Sequence, residues 1–193
     1  MNPAVWIPFL TLLLLGPVPA WHLLLHAFLP AWRRNPRAYY FLAAAVWALV
    51  IPLAWLLAEA SPLLFEPARS VRALGLAASG AAFLVALWSM WTLTPRRFFM
   101  WAVLRPDDAP AERILRGPYR FTEHPTYLAM VAAAASNFLA SGSASLLGVT
   151  AAFAVLLSII ASLEQRELNA RLGSPLPERE LLPVPGRDPA LRS

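Results

Sequence analysis

Four stretches of this chain carry no formal charge: residues 6–28, 38–58, 73–95 and 127–163. A helix advances about 1.5 Å per residue and the hydrocarbon layer of a bilayer is about 30 Å thick, so about twenty apolar residues suffice to cross it. In lipid the backbone must satisfy its own hydrogen bonds, which leaves helices as the economical solution for runs of this kind. The first three runs each fit one span. The fourth is too long for one, and Asn137, Ser141, Gly142, Ser143 and Ser145 interrupt it midway, so a hairpin of two helices is expected. The prediction is an all-α polytopic membrane helix bundle of about five transmembrane helices. Gly16-Pro17-Val18-Pro19 falls inside the first span and should kink it. Gly75, Ser79, Ala82 and the alanines at 132–135 are small enough to let helices approach closely.

The basic residues set an expected orientation. All 16 are arginine. Three lie in the first loop, six in the third and five after the last span, against two in the second loop and none in the fourth. Five spans with the N-terminus outside and the C-terminus cytosolic put every arginine-rich segment in the cytosol, as the positive-inside rule requires. That rule explains the net charge of +5 better than a nucleic-acid partner does, and none is expected. The residues before the first span lack Lys and Arg, and the apolar run outlasts a signal-peptide core, so no signal peptide is read there. With no cysteine, disulfides and thiolate metal sites are excluded. A single integral membrane domain over residues 1–193 is expected: three helices in 1–95, a second part in 96–173 with the hairpin, and a Pro-rich tail in 174–193. A bacterial inner membrane is the expected location.

Polar chemistry concentrates in two places. One is Arg116-Gly-Pro-Tyr-Arg-Phe-Thr-Glu-His-Pro-Thr-Tyr-Leu128. Gly117-Pro118 signals a turn, and Pro disfavours helix at His124 while suiting the first helical position at 125. The fourth span should therefore start there, with unpaired N–H groups at Thr126 and Tyr127 that favour an anion. Tyr119 and Tyr127 offer aromatic faces to a cation. The second place is Leu163-Glu-Gln-Arg-Glu-Leu-Asn-Ala-Arg-Leu-Gly173. By the topology above, Glu164 leaves the last span at the same boundary as His124, and an acid there is a functional candidate. Glu167 is the weaker of the two, suited to pairing with Arg166 or Arg171. Together the groups describe a pocket for a zwitterion that also bears a positive centre. His22 and His26, one helical turn apart, lack a third ligand and are read as packing or interfacial residues, with no metal expected.

These two segments, separated by a two-helix hairpin, resemble the isoprenylcysteine carboxyl methyltransferase and phospholipid methyltransferase superfamily. Its pattern is Gly-x-Tyr, Arg-His-Pro-x-Tyr, a hairpin, Glu-Glu-x-x-Leu and Phe-Gly. The match runs over residues 111–173. The resemblance implies an integral membrane enzyme using S-adenosylmethionine, with Arg113, Ile114, Tyr119, His124, Pro125, Thr126, Tyr127 and Glu164 at the cofactor. The general base is unassigned, with Glu167 as a candidate. It also implies a lipophilic or lipid acceptor drawn from the bilayer.

This chain departs from the pattern at several positions. Glu123 stands for the usual Arg, Gln165 for the second Glu, Ala129 for a common Gly and Leu172 for a common Phe. Ile160 occupies the place of an acceptor-binding Arg in the isoprenylcysteine enzymes, and Leu176 and Arg179 lie near places usually held by tyrosine. The cofactor positions are thus mostly kept and the acceptor positions are not. Two other readings stand beside methyl transfer: an NADPH-dependent membrane reductase of related layout, and a non-catalytic membrane protein of the same fold.

Overall fold

The computed structural model describes residues 2–108 and 113–172; the Pro-rich tail, with Leu176 and Arg179, lies outside them. The first uncharged run folds as α1 (Pro3–Leu15) and α2 (Pro17–Ala27). Asn2 caps α1 by accepting from the Ala4 N–H at 3.0 Å, and Pro3 takes the first helical position, where its missing N–H is harmless. Gly16 keeps right-handed helical dihedrals and donates to the Leu12 carbonyl at 2.8 Å. The Gly-Pro pair thus interrupts the span without ending it. A short helix, α3 (Leu29–Arg34), leads into α4 (Pro36–Ala60), whose first turn is capped by Asn35. Then come α5 (Arg69–Leu93), the short α6 (Pro95–Phe98) and α7 (Trp101–Leu104), and finally the hairpin of α8 (Pro125–Ser141) and α9 (Ala144–Leu172).

The chain is an all-α membrane bundle. Four segments, Pro3–Ala27, Pro36–Ala60, Arg69–Leu93 and Ala144–Ala170, are long and apolar enough to cross a membrane. The remaining expected span, α8, has 17 residues, about 26 Å at the helical rise, a little less than the hydrocarbon thickness. Its ends are fixed locally. Pro125 starts it, and Gly142 stops it in the left-handed region at φ +71°, where an added Cβ would come within 2.0 Å of the Phe65 carbonyl oxygen.

Helices in lipid gain little from the hydrophobic effect and rely on close packing and polar contacts. Gly75, Ala82 and Ser89 are the buried residues of α5, seven residues apart on one face. That face meets α8 in the most extensive helix contact of the fold. A Cβ on Gly75 would lie 2.7 Å from the Ser136 carbonyl oxygen, so only glycine permits this approach. Asn137 of α8 donates to the Thr11 hydroxyl of α1 at 2.8 Å, tying the hairpin to the first span. Phe41, Leu49, Leu74 and Leu84 are exposed, as suits side chains that face lipid.

The loops sort to two ends. At one, Ser61 meets Ser143 at 2.8 Å and accepts from the Ser145 N–H, so the second loop and the hairpin turn close on each other. At the other, Arg33 donates to the Val103 carbonyl at 3.0 Å and pairs with Glu167, and Arg113 donates to Asn169. The first loop, the third loop and the end of α9 therefore share one end.

Candidate functional site

That shared end encloses a cavity of about 410 Å³. Its polar wall is built around the start of α8. His124, the N-cap residue, leaves the helix N–H groups without a side-chain cap; its ring stacks on Tyr127, centroids 5.5 Å apart and planes 4° off parallel. Its Nδ1 lies 3.5 Å from Glu164 of α9. The buried Tyr127 hydroxyl donates to the other oxygen of the same carboxylate. Glu164 is thus held by two groups from one helical turn, Tyr127 being thirty-seven residues away in sequence.

The 3₁₀ turn Gly117–Arg120 supplies Tyr119. Gly117 sits at φ +59°, and an added Cβ would lie 2.6 Å from the Thr92 hydroxyl of α5. The turn is therefore seated against α5 by a residue without a side chain. Burial pushes the Tyr119 phenol up to about 12; the Glu164 charge adds to this, and the Thr126 hydroxyl partly offsets it. Tyr119 is a neutral donor at any physiological pH.

Of the eight residues expected at a cofactor, Arg113, Ile114, Tyr119, His124, Thr126, Tyr127 and Glu164 all line this one cavity. Pro125 does not; it borders an apolar groove between α5 and α8, having served its purpose by starting the helix. Glu167 reaches the cavity too, but its carboxylate pairs with Arg33 and lies 3.9 Å from His26 Nδ1. Its contacts tie α9 to the first loop. Arg116 and Arg120 are exposed and lie outside the cavity wall, in keeping with anchors at the interface.

Two departures from the superfamily pattern face each other. The Gln165 amide, in the orientation that satisfies its neighbours, donates to Glu123 at 3.0 Å and accepts from Arg113 at 3.2 Å. Glu123 and Arg113 lie 3.7 Å apart. The exchange of charge at position 123 is thus met by an amide at 165 and a guanidinium from the third loop. Ile160 is fully buried with Val18, Tyr127, Phe153 and Leu157, so the place of the missing Arg is filled by packing.

The first two spans contribute more than their sequence suggested. Leu14, Val18, Trp21, His22 and Trp47 all line the cavity. His22 is buried and meets the Tyr127 ring edge-on, centroids 5.7 Å apart. The available signal was an ionisable residue inside an uncharged run, which in a membrane marks a candidate site. Among the described residues, no three ligating side chains gather as a metal site.

In size the cavity falls within the range of about 300–1,000 Å³ typical of small-molecule sites. It joins the half-buried Glu164, two tyrosines, two imidazoles and a helix N-terminus to an apolar wall. Such a set can hold an amino-acid zwitterion and a sulfur cation beside an apolar reactant. Residues 70–173, more than half of the chain, match the model of the phospholipid methyltransferase family. No curated protein and no solved structure matches the chain.

Proposed function

The chain belongs to the phospholipid methyltransferase family, and we propose that it transfers a methyl group from S-adenosylmethionine to a lipophilic or lipid acceptor at the cytosolic face of the membrane. The observation that carries the proposal is the convergence of Glu164, Tyr127 and His124 at the mouth of α8. Glu164 would hold the ammonium or ribose hydroxyls of the donor. The N–H groups of the first α8 turn would face its carboxylate, and the tyrosine rings its sulfonium. Pro125 would act by setting that turn, and Arg113 and Ile114 would line the nucleoside. Bound there, S-adenosylmethionine supplies an electrophilic methyl carbon. The protein's contribution is to align the partners and exclude water, effects worth up to about 7–11 kcal/mol for well-aligned reactants.

The gathering of Arg33, Arg113 and the end of α9 at one end supports a cytosolic site by the positive-inside rule. The apolar wall, including Leu14, Val18 and Trp47, supports an acceptor that enters from the bilayer. On this reading the protein is one integral domain of a bacterial inner membrane. Titration of the detergent-purified protein with S-adenosylmethionine should give saturable binding, lost in Glu164→Ala and Tyr127→Ala. Normal binding by both variants would refute the site. Saturation by NADPH with no response to S-adenosylmethionine would identify a reductase, and indifference to both a non-catalytic relative.

A further inference from the structure

His22 remains unassigned by the proposed function, yet it is buried against the centre of the site. It comes from α2, a part of the chain outside the matched residues. Its Nδ1 lies 2.8 Å from the Val18 carbonyl oxygen. A carbonyl only accepts, so Nδ1 must carry the hydrogen, and in the neutral ring Nε2 then carries the lone pair. The ring lines the cavity and touches Tyr127, whose hydroxyl engages Glu164. Beside it the wall turns apolar, with Leu14, Val18 and Trp21 of the same span. A base with its tautomer fixed by the backbone therefore stands where the polar wall meets the apolar one.

We propose that His22 is the general base of this site, accepting through Nε2 the proton of an acceptor whose nucleophile is a protonated heteroatom on an apolar chain. The inference rests on the methyl-transfer reading and adds to it the means of activating the acceptor. The acceptor's X–H bond gives its proton to Nε2, and X forms the new bond to the methyl carbon. The carbon–sulfur bond breaks with its electron pair on sulfur, leaving a neutral thioether. The imidazolium formed stands beside Tyr127, whose hydroxyl engages the Glu164 carboxylate, and the proton then passes to water. Of the other groups in this wall, Glu167 is engaged by Arg33, and His124 is committed to Glu164 and stacked on Tyr127.

The test uses the full chain in nanodiscs with methyl-tritiated S-adenosylmethionine, and 1-decanethiol and decylamine as acceptor probes. His22→Gln should lower turnover by about 10²–10⁴-fold, the usual share of a general base, while S-adenosylmethionine affinity stays within about threefold, on the scale of one lost hydrogen bond. Added imidazole should restore part of the turnover of His22→Ala. Independently of turnover, ¹⁵N-histidine spectra of the donor-free protein should show a pyridine-type Nε2 and a pyrrole-type Nδ1 for His22. The chain has only three histidines, so loss of that signal pair in His22→Gln assigns it. Turnover unchanged in His22→Gln, no rescue by imidazole, a protonated Nε2, or a wild-type protein that binds S-adenosylmethionine yet methylates neither probe would each overturn the proposal. A wild-type protein that does not bind S-adenosylmethionine would instead overturn the methyl-transfer reading beneath it.

Discussion

Removing the Tyr127 hydroxyl probes the contact that joins the two halves of the site. The substitution Tyr127→Phe leaves the ring, and with it the stacking on His124 and the edge contact with His22. What is lost is one hydrogen bond to a carboxylate whose side chain is 15% exposed. A hydrogen bond to a charged group contributes about 1.5–3 kcal/mol in proteins generally. Polar contacts between membrane helices measure lower, averaging about 0.6 and reaching about 1.7 kcal/mol, because the unfolded chain in lipid finds other partners. The contact here lies at the first turn of α8, near the aqueous end of the bundle, and its acceptor is ionic. A coupling of about 1–2 kcal/mol follows. A double-mutant cycle of Tyr127→Phe with Glu164→Gln, read from unfolding in mixed micelles of dodecyl maltoside and SDS, isolates it from the separate costs of each change. Coupling of less than about 0.5 kcal/mol would show that the two residues do not act on each other in the folded protein. The convergence of the segments would then be wrong, and the donor site with it.

Gly117→Ala should destabilise the protein by about 2–4 kcal/mol, combining left-handed backbone strain of about 1–2 kcal/mol with the Cβ approach to Thr92. In a Thr92→Ala background the cost should fall toward the backbone part, with only the Trp88 Nε1 approach at 3.3 Å remaining; equal costs in both backgrounds would contradict the seating of this turn on α5. The Tyr119 phenol should remain neutral through pH 10 and ionise near 12, seen as the absorbance change missing from Tyr119→Phe. Because its folded pKa is raised, the stability linked to it is complete below pH 10 and is lost between 10 and 12. Titration of Tyr119 near pH 10 would mean that it is not buried as described.

The class of fold was legible because charge is so costly in lipid that uncharged apolar runs of about twenty residues, repeated along one chain, point to membrane spans. The Gly16 interruption and the start of α8 at Pro125 were legible for local reasons, proline's missing N–H and its fixed φ. The length of α8 was less so: of the several polar residues that interrupt the run between Tyr127 and Leu163, nothing local says that the helix closes at Ser141. Motif spacing singled out Tyr119, His124, Tyr127 and Glu164 as candidates, and all four line the one cavity. It could not show that Glu167 is held by Arg33, 134 positions away, or that Gln165 answers Glu123 across 42 positions. Sequence neighbourhood carries no trace of contacts made over such distances.

By itself, then, the order of residues determined a membrane bundle with two polar mouths. Local backbone chemistry and the cost of burying charge act on neighbours in the chain, and both can be read without coordinates. The counted arginines already set both mouths at one boundary; only the tertiary structure decided that α2 brings His22 into the wall of their cavity. Which helix face meets which depends on side-chain volumes summed over the α5–α8 seam, where a single glycine sets the distance of approach.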